Sequence, residues 1–205
     1  MPFITFEGID GSGKSSLIKK LADDLRKLGL VVEMTQEPGG TSLGTELRQI
    51  LLRNKGDVPC PEAELLIYEA DRAHHVKNKI KPLLNKGTWV LSDRFSDSSL
   101  AFQGAGRSLK MADVQWLNDF ATGGLKPDLT VLVDCPVNVG HARRAGREAD
   151  RFENEKNEFH EKVRQEFLKL AHAEPERFYI LDSEKSGPEE LLQKLLSEMK
   201  QRKLL

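Results

Sequence analysis

The 205-residue sequence is poor in cysteine, in aromatic side chains, in long apolar runs and in excess charge of either sign. Each scarcity narrows the field. Its two cysteines, Cys60 and Cys135, lie far apart and form no C-x-x-C pair, so neither a disulfide framework nor a thiolate metal site is expected. Two lone thiols suit a reducing cytoplasm. No apolar run approaches the roughly 18 residues that a bilayer-spanning helix needs. Met1-Pro2 leads straight into a predicted strand without the basic region or cleavage site of a secretion leader, so no membrane partner is expected. A formal net charge of −1 and an aromatic content of 6% leave no basic, aromatic-rich face for nucleic acid. With 39% hydrophobic and 31% charged residues, no repeat and no long linker, residues 1–205 are expected to form a single domain.

What is present is concentrated first at the N-terminus. Residues 3–7 form a short run containing the β-branched Ile4 and Thr5, which predicts a strand. Gly8-Ile9-Asp10-Gly11-Ser12-Gly13-Lys14-Ser15 follows and fits G-x-x-x-x-G-K-[ST], after which helical spacing begins. That strand–turn–helix context is the one a phosphate-binding loop requires. Its glycines permit angles that a Cβ forbids and let backbone N–H groups converge on an anion. The helix start adds unpaired donors and the positive end of its dipole. Lys14 is expected to reach the outer phosphates of a nucleoside triphosphate, and the Ser15 hydroxyl to hold Mg2+. Gly8 to Ser15, with Ser16, make up the expected triphosphate-binding set.

Farther along, strands alternate with helices. Helices are predicted over about 13–28, 42–53, 61–84, 111–121, 137–147, 154–173 and 188–200, with a helical turn at 96–103. Leu43, Leu47, Ile50 and Leu51 are expected to face inward, and Pro82 to kink or stop the long third helix. Further strands are predicted at 30–35, 89–92, 129–133 and 178–181. This order implies a five-stranded parallel sheet between helical layers. Right-handed crossovers place every strand's C-terminal end on one edge, where ligands of open α/β sheets bind. Glu7, Glu37, Asp93 and Asp134 are expected to gather there.

Two classes of protein compete for such a frame. Asn54-Lys55-Gly56-Asp57 matches the N-K-x-D signature that reads guanine in GTP-binding switches. It follows an amphipathic helix instead of a strand, however, and the only D-x-x-G segment, from Asp10 to Gly13, lies inside the phosphate loop. The arginines favour a kinase. Moving a phosphoryl group onto an acceptor phosphate brings two polyanions together, so the barrier is largely electrostatic. A phosphate acceptor needs no general base; it needs cations that hold it in line. Arg48, Arg72, Arg94, Arg143, Arg144, Arg147 and Arg151 are the candidates, Arg94 foremost because it follows Asp93 at a strand end. His74 and His75 are read as helix-surface or pocket-rim residues.

The segments FEGIDGSGKSS (6–16), EPGG (37–40), DR (93–94), SSLAFQGAGR (98–107), PDLTVLVD (127–134) and RRAGREADRFE (143–153) resemble, in order and over almost the whole length, the bacterial thymidylate kinase family. The resemblance implies a P-loop nucleoside-monophosphate-kinase-like α/β/α fold and transfer of the γ-phosphoryl of ATP to dTMP with Mg2+, in dTTP synthesis. It also implies a homodimer. Another P-loop nucleotide or nucleoside kinase is the alternative. By resemblance, Tyr68 stacks on thymine, and Arg72 bonds the base and approaches the phosphate end. Ser99 and Gln103 face the base edge, Asp10 lies near the sugar 3′-hydroxyl, and Arg94 bridges donor and acceptor phosphates. Arg48 aligns on the acceptor-phosphate side, Asp93 with Ser15 on the metal side. Glu37, Pro38, Ser98 and Phe102 complete the implied acceptor site.

In this family a catalytic cation lies either in the phosphate loop or in a mobile lid. Gly11-Ser12 carries no charge, so the lid, about residues 141–153, is expected to supply it, with Arg147 and Arg151 foremost. Three positions depart from the common pattern. Tyr68 replaces phenylalanine and keeps the stacking face. Phe102 stands where tyrosine is common, which leaves open how ribonucleotides are excluded. Gln36 replaces an arginine before Glu37-Pro38.

Overall fold

The computed structural model describes residues 1–146 and 149–205. Its centre is β1 (Phe3–Glu7), buried at every position. β1 pairs in parallel with β3 (Trp89–Asp93) and β4 (Leu129–Asp134); β2 (Val32–Gln36) and β5 (Phe178–Asp182) form the edges, giving the order β2-β3-β1-β4-β5. Alternation along the strands builds two cores. Ile4, Phe6, Leu91, Val131 and Val133 pack with Leu17, Leu21 and Leu25 of α1 (Lys14–Lys27) and Leu195 and Met199 of α9 (Pro188–Gln201). Phe3 and Val90 face the other way, and Leu132 packs with Phe159, Val163 and Phe167 of α8 (Asn157–Ala173). Both faces are therefore covered, which is what a parallel sheet of continuous apolar strands demands.

The helices between strands set the site. α2 (Ser42–Leu52) packs on α3 (Pro61–His75), and α3 packs on α6 (Met111–Thr122). α3 does not stop at Pro82. It passes through a π-helical turn, Val76–Ile80, into α4 (Lys81–Asn85), with the Lys81 N–H bonded to the Val76 carbonyl. The wider spacing carries the chain past a residue that has no N–H to offer. α5 (Ser96–Ser99) likewise continues into a π-helical segment, Leu100–Gly106. α7 covers Val137–Arg144.

Several predicted boundaries move for local reasons. β2 begins later than expected because Leu30 belongs to the helix cap: its N–H bonds the Leu25 carbonyl while Gly29, at φ +81°, bonds Arg26. α7 ends at Arg144, short of residue 147, and the expected helix start at residue 154 is taken instead by a turn in which Asp150 accepts from Phe152 and Glu153 N–H. On α2, Leu43 and Ile50 are 41% and 38% exposed, not inward. Among the described residues no helix is long and apolar enough to cross a membrane.

One buried ion pair fixes α5 under the sheet edge. Arg177, just before β5, forks onto Asp97 at 2.6 and 2.9 Å and also donates to Thr130. Asp97 is 2% exposed. Removing Asp97 takes from Arg177 its buried counter-charge and leaves it with the exposed Glu174. Asp97→Ala should therefore cost about 1.5–3 kcal/mol, read as a fall in the denaturant midpoint without a change in slope.

Candidate active site

The chain leaves β1 through the phosphate loop, where Gly8, Gly11 and Gly13 have φ of +133°, +83° and +103°. At Gly11 the requirement is double, since a Cβ there would stand 2.2 Å from the Gly140 carbonyl oxygen. Lys14, 5% exposed, folds back so that Nζ donates to the Gly8 and Ile9 carbonyls at 2.9 and 3.0 Å. Burial pushes its pKa down, and the charge of Arg94 acts in the same sense. Ser15 opens α1, and its hydroxyl donates to Asp93 Oδ2 at 2.9 Å. Hard oxygen donors on a helix start and a strand end suit Mg2+, which keeps most of its coordination for water and phosphate. Ser15 and Asp93 are the residues that would hold it.

Arg94 leaves β3 with φ +71°, a left-handed conformation rare outside glycine and the kind of strain that collects at functional sites. Its guanidinium donates to Gly8 O at 3.0 Å, Ser98 Oγ at 3.3 Å and Asp10 Oδ1 at 2.7 Å, and lies 4.8 Å from the centre of the Phe102 ring. Burial alone would raise Asp10; Arg94 and Lys14 overcome it and hold that carboxyl well below its usual range. Arg94 and Asp10 thus form a wall shared by two cavities. One, of about 620 Å³, runs along Gly11, Gly13, Lys14, Ser15 and Ser16 and is also lined by Arg143 and Arg144. The other, of about 70 Å³, has room for only a few waters. Glu37, Pro38, Arg48, Tyr68, Arg72, Ser98, Ser99, Phe102 and Gln103 all line it, together with Phe152, which closes it edge-on against Tyr68 and Phe102.

Arg72 is 1% exposed and almost fully engaged. Nε donates to Glu37, Nη1 to Glu69, Ser99 and Asn118, and Nη2 to the Phe95 carbonyl. That leaves N–H capacity toward the cavity but no freedom to travel, so the expected approach to a phosphate does not fit these bonds. His75, expected near the surface, is fully buried between Glu37 Oε1 at 2.9 Å and Thr35 Oγ1 at 2.7 Å. Glu37 is thereby committed to Arg72 and His75. Arg48 donates to the Pro38 carbonyl at 2.8 Å, at the cavity rim.

Three further expectations need correction or fall away. Asp134 does not join the site, because Arg164 grips both its oxygens at 2.8 Å. Arg151, expected to face the phosphates, bonds Glu64 Oε2 at 2.8 Å and the Leu51 carbonyl at 3.0 Å. Arg147 lies outside the described residues. Sequence reasoning passed over Glu64 and Phe152, and named Arg143 only as one of several candidate cations. Glu64 lies one turn before Tyr68 on the stripe that continues to Arg72, and extending that stripe backward would have found it. Phe152 is the apolar residue in an otherwise charged segment. Arg143 reaches the carbonyl of Ser183 at 2.7 Å and lines a groove of about 430 Å³ beside Ser12 and Ser16; nothing local in sequence links those segments.

Two compartments that share the guanidiniums of Arg94 and Arg48 suit transfer between phosphates. With a phosphate loop on a five-stranded parallel sheet, they define a P-loop kinase of the nucleoside monophosphate class. The thymidylate kinase profile matches residues 6–195. The chain is 49% identical to the thymidylate kinase of Bdellovibrio bacteriovorus, over 100% of this chain and 98% of that protein. It is 47% identical to that of Pelobacter propionicus, over 98% and 95%. A crystal structure of thymidylate kinase from Ehrlichia chaffeensis superposes with a TM-score of 0.79 at 30% identity, covering 97% of this chain and 98% of that one. The chain belongs to the thymidylate kinase family.

Glu7, at the end of β1 beneath Arg94, is fully buried, accepting from Phe95 N–H at 2.8 Å and Ser98 Oγ at 2.6 Å. Burial, with the charge of Asp97, pushes it from 4.5 up to about 8. The folded protein therefore holds a proton that the unfolded chain releases near 4.5, so folding stability falls as pH rises from there through about 8. Glu7→Gln removes that dependence: between about pH 6 and pH 9 its melting temperature should fall less than that of wild type.

Proposed function

We propose that this chain transfers the γ-phosphoryl of ATP to dTMP, giving dTDP and ADP. The observation that carries the reading is the position of Arg94, which walls both the phosphate-loop cleft and the acceptor cavity. The loop N–H groups and Lys14 bind the donor phosphates, and the groove between Arg143 and residues 183–186 takes the donor nucleoside. Mg2+ held by Ser15 and Asp93 would supply charge neutralisation of the donor phosphates. Tyr68 and Phe102 enclose the base, with Ser98, Ser99, Gln103 and Arg72 on its polar edges. Arg48 and Arg94 hold the acceptor phosphate and Asp10 faces the sugar. Arg94 then carries charge that spreads over the phosphoryl oxygens in flight.

Residues 141–153 act as the lid of this single domain. Arg144 lines the phosphate cleft and pairs with Glu153 at 3.3 Å, which supports it as a lid cation beside Arg147; the bonds of Arg151 support an anchoring role instead. Closure explains the narrow acceptor cavity, since Phe152 belongs to the lid. The protein works in the cytoplasm, where the exposed thiol of Cys60 stays reduced.

The reaction is tested by coupled ADP release with MgATP and a panel of nucleoside monophosphates, with dTMP expected to turn over fastest. Arg94→Ala should lower kcat by about a hundredfold or more with a smaller change in the KM for dTMP. Tyr68→Ala should do the reverse, raising that KM while kcat changes less. Brisk turnover of another monophosphate but none of dTMP would keep the reaction and remove the substrate.

The active form is a homodimer. Three helices packed side by side each expose large apolar side chains: Leu43 and Ile50 on α2, Leu66 on α3, Trp116 and Phe120 on α6. Trp116 and Phe120, 65% and 74% exposed, stack on each other at 6.0 Å. A patch of that kind on a soluble protein marks an interaction surface. Light scattering should give twice the chain mass, and Trp116→Glu should halve it.

A further inference from the structure

Glu64 is a glutamate at 0% exposure on α3, one turn before Tyr68, and it makes no contact that the phosphoryl transfer requires. Its Oε1 accepts from Gln103 Nε2 at 2.8 Å. Its Oε2 accepts from Arg151 Nη2 at 2.8 Å and from Arg107 Nε at 3.2 Å. A carboxylate held by two guanidiniums has no proton to donate. The end of Gln103 that meets it must therefore be the NH2, whichever way the amide would otherwise turn. Gln103 lines the acceptor cavity, and with its NH2 held at Glu64 the opposite end of the planar amide, its carbonyl oxygen, is the acceptor it can present there.

The neighbouring polar groups are sorted by the same means. Ser99 donates its hydroxyl proton to Glu69 Oε1 at 2.8 Å and accepts from Arg72 at 2.8 Å. Its proton is thus turned away from the cavity, and Arg72 remains the donor on that side. Donor and acceptor then line the same cavity. That pair complements a 4-oxo pyrimidine, whose O4 accepts and whose N3–H donates. It opposes a 4-amino pyrimidine, in which N3 accepts and the exocyclic amine donates.

We propose that Glu64 is a specificity-determining positioning residue: by fixing Gln103 with its carbonyl toward the acceptor cavity, it selects a pyrimidine that carries a proton on N3. This rests on the nucleotide-acceptor reading of that cavity. The aromatic walls accept any pyrimidine face, so hydrogen-bond polarity is what discriminates. A buried group left unpaired against the wrong edge is strongly disfavoured.

The test is steady-state kinetics of the full-length chain with MgATP and either dTMP or dCMP. In Glu64→Gln the new amide can donate to Gln103, which frees Gln103 to turn its NH2 to the cavity. The ratio of kcat/KM for dTMP over dCMP should fall at least about tenfold. Glu64→Asp, which still only accepts, should keep most of the ratio. Gln103→Met should lower it to the same level, and adding Glu64→Gln to Gln103→Met should lower it no further. Arg151→Met removes the lid anchor but leaves the amide fixed, so the KM for dTMP should rise with the ratio unchanged.

A folded Glu64→Gln whose ratio stays within about twofold of wild type overturns the proposal. If Glu64→Gln does not fold, Gln103→Met decides: an unchanged ratio there overturns it equally. A fall in Arg151→Met as large as in Glu64→Gln would assign the effect to lid docking and overturn it too. Failure of the wild type to phosphorylate dTMP at all would strike the acceptor reading itself, which separates the two failures.

Discussion

A guanidinium that is 1% exposed has to be met on every side, and Arg72 is met by five different pieces of chain. Glu37 comes from the end of β2, Glu69 from its own helix, Ser99 from α5, Asn118 from α6, and the Phe95 carbonyl from the turn after β3. Each of those elements arrives by packing of its own, yet their relative positions at the strand ends are fixed by one cation. Removing either carboxylate, Glu37 or Glu69, leaves a buried charge short of a counter-ion, a cost of several kcal/mol. The acceptor cavity therefore has a floor that does not adapt to its occupant. α3 supplies that floor along a single stripe, with Glu64, Tyr68, Arg72 and His75 on successive turns.

The phosphate side is organised differently. There, like charges are brought close: burial pushes the pKa of Lys14 down, and the charge of Arg94 adds to it. Asp93 and Asp10 offset this in part, one from a strand end and one from the loop. Lys14 donates to the carbonyls of its own loop, and Arg94 shares one of them, Gly8. Such cations are pre-positioned and make fewer hydrogen bonds than Arg72, which leaves them donors for a polyanion. Rigid recognition of the acceptor and electrostatic demand for phosphate thus sit on either side of Arg94, and this division is what the chemistry requires.

Strand identity and the phosphate loop were legible because their signals are local. Alternating burial, β-branched runs and G-x-x-x-x-G-K-S need no knowledge of distant residues. What escaped was partner choice over long separations. Whether His75 faces water or Glu37, and whether Arg151 faces a phosphate or Glu64, depends on what the fold brings opposite, 38 and 87 residues away. Arginine density in the segment 143–153 signalled cation supply, but the composition could not say which arginines are consumed as anchors. Pro82 left the course of the helix open for a related reason. A proline predicts a break only if the helix keeps its ordinary spacing, and the π-helical turn before it does not.

Putting carboxylates behind a recognition wall has a consequence that the wall residues do not reveal. Serine and glutamine can present a donor or an acceptor, so alone they specify little. A carboxylate in contact with guanidinium can only accept, and each group that touches it must turn its donor inward. Glu69 does this to Ser99, and Glu64 does it to Gln103. Polarity at the cavity surface is thereby set one layer down, in residues that no ligand touches. Glu64 binds Arg151 with its other oxygen, so the carboxylate that orders the floor also holds the segment carrying Phe152 against Tyr68 and Phe102. Floor and segment then share one anchor, and a change at that anchor acts on both without altering any residue that lines the cavity.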